Sequence, residues 1–165
     1  MSETVFKEVR CDLGSLIKFV QLGEIALPEI QRPFVWNNSK VRDLFDSMYQ
    51  GYPVGYLLFW QNGLGHRSRN VVIDPKQNPA RLLIVYGQQR VTSLYAIVND
   101  VQVIRDNYKS ESIRIAFNPL SEKFEVTDSA IRRNKAYIPD ISRLWSDETD
   151  LFEVVEEYLT SLEST

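Results

Sequence analysis

The chain has 165 residues, 44% of them hydrophobic and 25% charged, and a formal net charge of -3. That is the make-up of one ordinary globular domain able to bury its own core, and it argues against a disordered, fibrous or membrane-spanning chain. A single cysteine, Cys11, and a single histidine, His66, exclude an internal disulfide and a thiolate- or histidine-based metal centre, leave a carboxylate-held magnesium open, and the acidic balance confines any nucleic-acid contact to a local patch.

The first residues mix acids and bases without the continuous apolar stretch of a signal peptide, and the longest apolar run, 55–60, is far too short to span a bilayer, so the cytoplasm is the expected compartment. Asp12 is placed to cap a helix whose Leu13, Leu16, Ile17 and Val20 fall at helical spacing, and Gly23 to end it. A short strand is expected over 24–27. Pro28 and Pro33 then bracket Glu29-Ile30-Gln31-Arg32, a fixed loop, because proline biases its predecessor to extended backbone. Asn38 or Ser39 is expected to cap a helix running to about Gln50, with Val41, Leu44, Phe45 and Met48 on one face, Lys40, Arg42 and Asp43 outward, and Gly51 as the stop.

Residues 56–60 read as a buried strand, 61–70 as a loop carrying His66, Arg67 and Arg69, and 71–73 and 82–85 as further short apolar runs. The last leads through Tyr86-Gly87 into a helix over about 89–99. Ile113, Ile115 and Phe117 alternate with Ser112, Arg114 and Ala116, and Asn118-Pro119 turns the chain into Phe124 and Val126, which describes a hairpin. Residues 147–159 form an acidic amphipathic helix with Leu151, Phe152, Val154, Val155 and Tyr158 available for packing. The expected organisation is one domain over 1–165, with a core over about 12–127 and a helical extension over about 138–163, forming the N-terminal part of a longer protein.

The chemistry concentrates at Gly87-Gln88-Gln89-Arg90. A strand that turns through glycine into a helix leaves backbone N–H groups unpaired at the positive end of the helix dipole, where anions bind. Gly87 permits close approach, Gln88 and Gln89 add amide donors, and Arg90 offers a fork of donors matched to phosphate. On spacing alone the competing assignment is equally good: Gly87 makes a turn, the glutamines cap a helix, and Arg90 pairs with a carboxylate.

The segments Ile25-Ala26-Leu27-Pro28-Glu29-Ile30-Gln31-Arg32-Pro33-Phe34-Val35-Trp36, Lys40-Val41-Arg42-Asp43-Leu44, Gly51-Tyr52-Pro53-Val54-Gly55 and Tyr86-Gly87-Gln88-Gln89-Arg90-Val91-Thr92 follow in that order. Together, over roughly residues 12–100, this set resembles the N-terminal domain of GmrSD-type restriction enzymes. The resemblance implies an α+β fold of the ParB and sulfiredoxin superfamily, a mixed sheet with flanking helices, whose glycine-led helix start holds nucleotide phosphates. It implies a nucleoside triphosphate, GTP, CTP or ATP with Mg2+, as ligand. It further implies a site built from Gln31, Arg32, Gly87, Gln88, Gln89, Arg90 and Thr92, in which Gln31, Arg32, Gln89 and Arg90 are the catalytic candidates. DNA enters as a partner of the full-length protein through a C-terminal His-Asn-His type nuclease domain, which nothing in these residues resembles.

Where the family pattern has aspartate before Gly-Gln-Gln-Arg, this chain has Tyr86, which cannot act as a carboxylate near neutral pH. Hydrolysis is therefore left open: either binding persists without it, or Glu29, Asp43 or Asp74 brings the acid. Phe34 and Trp36 read as core in preference to a base-stacking platform. Lys40 and Arg42, the loop of His66, Arg67 and Arg69, and the cluster Arg132, Arg133 and Lys135 read first as solvated surface and second as phosphate or DNA contacts. The competing function is a DNA- or protein-binding module that keeps the fold without the chemistry.

Overall fold

The computed structural model describes residues 6–28, 33–61, 68–70, 80–146 and 149–163. The expected runs at 71–73, and the residues Gln31, Arg32, Glu29, His66, Arg67 and Asp74, lie outside the described residues.

The chain is a mixed α+β fold. Helix α1 covers Leu13–Gln21, with the Asp12 carboxylate accepting from the Ser15 amide at 2.7 Å and Gly23 in the left-handed region just past its end. The bond from Ser15 holds the Asp12 carboxyl below its ordinary value. Strand β1 is Ile25–Pro28 and helix α2 is Asn38–Tyr49. The cap of α2 is Asn37, one residue before the expected position: its Oδ1 accepts from the Lys40 amide at 2.8 Å while its backbone is still extended. Strands β2 (Leu58–Gln61), β3 (Ser68–Asn70) and β4 (Leu82–Tyr86) complete a four-stranded sheet in the order β2-β4-β1-β3. β1 runs parallel to β4, and the other two pairings are antiparallel.

Two expectations fail here. The apolar run expected as a buried strand is an edge strand that among the described residues pairs with β4 alone, with Tyr56 before it 85% exposed and Trp60 within it 64%. The region expected as one loop to residue 70 ends in a strand, because β1 offers its second edge to residues 68–70.

Pairing of Ile25 with Leu82 and Ala26 with Leu83 puts alternate side chains on opposite faces of the sheet. Ile25, Leu82 and Ile84 face the main core, and Ala26 and Leu83 form a small second cluster with Ala80. Helix α3, Gln88–Val98, fills the main core with Val91, Leu94, Ala96 and Ile97, against Leu16, Ile17 and Val20 of α1 and Val41, Leu44 and Phe45 of α2. Phe34 is buried among them, as expected.

Strands β5 (Val103–Ile104) and β6 (Ser110–Glu111) form a small ladder, followed by the expected hairpin, β7 (Ile115–Asn118) and β8 (Lys123–Val126). The Asn118 carboxamide oxygen accepts from the amides of Leu120 and Ser121, which makes the turn. Phe117 and Phe124 stack across the hairpin at 4.6 Å between ring centres and dock on Tyr49 of α2. Beyond residue 127 the chain stays in the core: Ile138 bridges to Phe117, and Ile141, in the short 3-10 helix Ile141–Trp145, is 1% exposed. Arg114 clamps this segment by pairing with Asp100 and Asp140, each at 2.5 Å. The last helix, α4, is Leu151–Glu163, later than expected, and of its apolar residues only Val154 is buried. Among the described residues no helix is long and apolar enough to cross a membrane.

Candidate functional site

The turn from β4 into α3 is made by Gly87 at φ +91°, a left-handed conformation that side chains resist. It has a steric reason too. A Cβ there would stand 2.4 Å from Leu57 Cδ2 and 3.1 Å from Arg90 Nη2. Gly87 offers no side-chain cap, and the first intrahelical bond runs from the Val91 amide to the Gly87 carbonyl at 3.1 Å. The backbone N–H groups of Gln88, Gln89 and Arg90 are thus the first-turn donors of α3, without a partner among the described residues. The macrodipole adds about half a positive charge at the same place.

The side chains divide into two sets. Gln89 reaches back to the chain that follows Pro33: its Oε1 accepts from the Val35 amide at 2.9 Å and the Trp36 amide at 3.4 Å, and its Nε2 donates to the Pro33 carbonyl at 3.2 Å. Arg90 reaches the other way, donating from Nη2 to the Tyr56 carbonyl at 2.8 Å and from Nη1 to the Val54 carbonyl. Its guanidinium also lies over the Tyr86 ring, 5.3 Å from the ring centre. Gly55, at φ +81°, makes room for that fork: a Cβ there would lie 2.9 Å from Arg90 Nη1. Gln88 and Thr92, half-buried and four apart on one helix face, make no side-chain hydrogen bond among the described residues.

The expected site residues Gly87, Gln88, Gln89, Arg90 and Thr92 therefore lie together on one strand-turn-helix, and the segment that follows Gln31-Arg32 is tied to it. Tyr86 is 63% exposed. Asp43, one of the acids weighed for the missing carboxylate, is bound to Arg42 at 2.7 Å, and Arg42 also pairs with Glu125 of β8. Among the described residues no group of three His, Cys, Asp or Glu side chains is placed to hold a metal. Lys40 lies over the Trp36 ring at 4.7 Å.

Arg105 was not singled out by any motif, yet it is the second anchor of the same segment. Its side chain, 13% exposed, donates to the Trp36 carbonyl, to Asn38 Oδ1 at 2.6 Å and to Glu111 at 2.8 Å, while the Phe34 amide donates to the Ile104 carbonyl at 3.2 Å. The hydrogen bond from Arg105, opposed by partial desolvation and helped by the Arg105 charge, holds the Glu111 carboxyl below its ordinary value. The sequence signal for this was slight: an Arg just after one very short strand and a Glu at the end of the next.

The chain matches the sequence profile of the family described as GmrSD restriction endonuclease, N-terminal domain, over residues 13–164. It is also 29% identical over 125 residues to uncharacterized protein MJ0686 of Methanocaldococcus jannaschii; the match covers 67% of this chain and 21% of that protein, so the chain spans about a fifth of the relative's length.

Proposed function

Because the chain belongs to the family of GmrSD restriction endonuclease N-terminal domains, we propose that it is the nucleotide-phosphate-binding regulatory domain of a DNA-restriction, phage-defence protein. The observation that carries this reading is the start of α3, where the amides of Gln88, Gln89 and Arg90 have no hydrogen-bond partner among the described residues, at the positive end of a helix. A triphosphate of GTP, CTP or ATP brings the complementary charge. Hydrogen bonds to a charged phosphate are worth roughly 1.5 to 3 kcal/mol each, so three near the upper end of that range reach micromolar affinity. Magnesium enters with the phosphates as their counter-ion.

In this reading the domain is of the ParB and sulfiredoxin kind, and the nuclease that it controls belongs to the rest of a longer protein acting on DNA. Calorimetric titration with GTP, CTP, ATP and UTP in magnesium tests it: saturable binding of at least one is expected, and no heat with any of the four overturns it.

Tyr86 favours a second reading, a DNA- or protein-binding module without nucleotide chemistry, since an exposed ring stands where the family pattern has a carboxylate. Gel-shift titration of plain and modified duplexes over a salt series separates the two. Nucleotide-independent binding with a clear salt slope supports the module, and no shift on any duplex counts against it.

A further inference from the structure

We propose that Gln89 and Arg90 are positioning residues, and that the groups of α3 that touch the ligand are the backbone amides of residues 88–90 with the side chains of Gln88 and Thr92. This rests on the nucleotide reading above.

Three observations lead to it. First, the carboxamide of Gln89 bonds through both its oxygen and its nitrogen to one stretch of backbone, the Val35 and Trp36 amides on one side and the Pro33 carbonyl on the other. It acts as a surrogate strand edge that fixes the residues directly after Arg32. Second, the Arg90 fork is aimed at two carbonyls two residues apart, Val54 and Tyr56, with Gly55 between them bare of a Cβ so that the guanidinium can close in. A planar fork spans two such acceptors, and a single ammonium or amide does not. Third, Gln88 and Thr92 lie four apart on one face at the start of α3 and make no side-chain hydrogen bond among the described residues, which leaves their donors for a ligand.

Two adjacent residues thus pull two distant segments onto one helix start from opposite sides. The Gln-Gln-Arg string is then read as one outward-facing residue followed by two inward-facing clamps. The consequence for binding is geometric. Losing either clamp releases the Pro33–Trp36 or Val54–Tyr56 backbone and spoils the site without removing a phosphate contact.

The test pairs Arg90→Lys with Arg90→Gln and adds Gln88→Ala/Thr92→Val, each titrated with the triphosphate that binds best in magnesium over a salt series. Both Arg90 variants are expected to lose at least tenfold in affinity, to similar extents, with the wild-type dependence on salt, because neither restores the fork. If Arg90→Lys keeps near wild-type affinity while Arg90→Gln loses it and shows a shallower salt dependence, Arg90 is a direct phosphate ligand and the proposal is overturned. The Gln88→Ala/Thr92→Val variant is expected to lose affinity while its melting temperature stays within a few degrees of wild type; unchanged affinity overturns it as well.

A ligand-free arm covers poor folding of the Arg90 variants. In Gln89→Ala, hydrogen exchange at the Val35 amide is expected to speed up at least tenfold with α1 and α2 amides unaffected, and unchanged exchange there removes the Gln89 clamp. A wild-type chain that binds no triphosphate sinks the nucleotide reading and the assigned contacts together, whereas the Arg90 pattern above sinks only the positioning role.

Discussion

The side chain of Gln89 accepts a hydrogen bond from the Val35 amide, 54 positions earlier in the chain, at 2.9 Å. That bond joins the chain just ahead of α2 to the first turn of α3. It turns two short motifs, separated by a helix and most of a sheet, into neighbours.

Gly87→Ala introduces a Cβ 2.4 Å from Leu57 Cδ2 in a backbone conformation that resists side chains. The cost expected is about 1 to 3 kcal/mol from backbone strain alone, with the clash in addition. Urea denaturation should show a lowered midpoint at unchanged slope. A Gly87→Ala protein as stable as wild type would mean that the turn relaxes freely.

Tyr86→Asp restores the carboxylate of the family pattern and removes the ring under Arg90. Phosphate release from the bound triphosphate is expected to rise over wild type. A variant that still binds and turns over no faster would show that position 86 is not where a catalytic acid is missing.

Arg105→Ala strips partners from the Trp36 carbonyl, Asn38 and Glu111 in one step. About 2 to 3 kcal/mol of stability should go with it, read from denaturant midpoints, since partly buried acceptors lose charge-assisted bonds. Asn37→Ala, which removes only the cap of α2, should cost about 1 kcal/mol.

The Arg105–Glu111 pair also gives a pH dependence. Glu111 is held below its ordinary value in the folded chain. Its contribution is therefore complete above the unfolded carboxyl value, near pH 4 to 5, and is lost as pH falls through the lower folded value. Glu111→Gln should flatten that acid limb of the stability curve relative to wild type. An unchanged acid limb would assign it to other carboxylates.

Much of this molecule was legible in the sequence because local rules acted alone. Asp12, Gly23, Gly51 and the 3.6-residue spacing of Val41, Leu44 and Phe45 fix α1 and α2 within a residue, and alternation with Asn118 fixes the hairpin. What was misread depends on distant partners. The run 56–60 is as apolar as a buried strand, but nothing in it tells that among the described residues it pairs with β4 on one side only. Residues 68–70 become a strand only because β1 has a free edge. At the candidate site, Gly87 and the string after it could be located, while the direction in which Gln89 and Arg90 point could not. A glutamine and an arginine at a helix start suit phosphate oxygens and backbone carbonyls equally well, and only the packed positions of Pro33–Trp36 and Val54–Tyr56 decide. Arg105 was missed for the same reason.

We propose that triphosphate binds at the first turn of α3. The most direct measurement is amide chemical-shift mapping of the isotope-labelled chain titrated with GTP, CTP, ATP and UTP in magnesium. The amides of Gln88, Gln89 and Arg90 should move first and furthest with at least one of them, saturating at micromolar to sub-millimolar ligand. If a triphosphate binds while those three amides stay still and the largest shifts fall on another surface, such as Arg132 and Arg133, the assignment of the site to Gly87 and α3 is wrong.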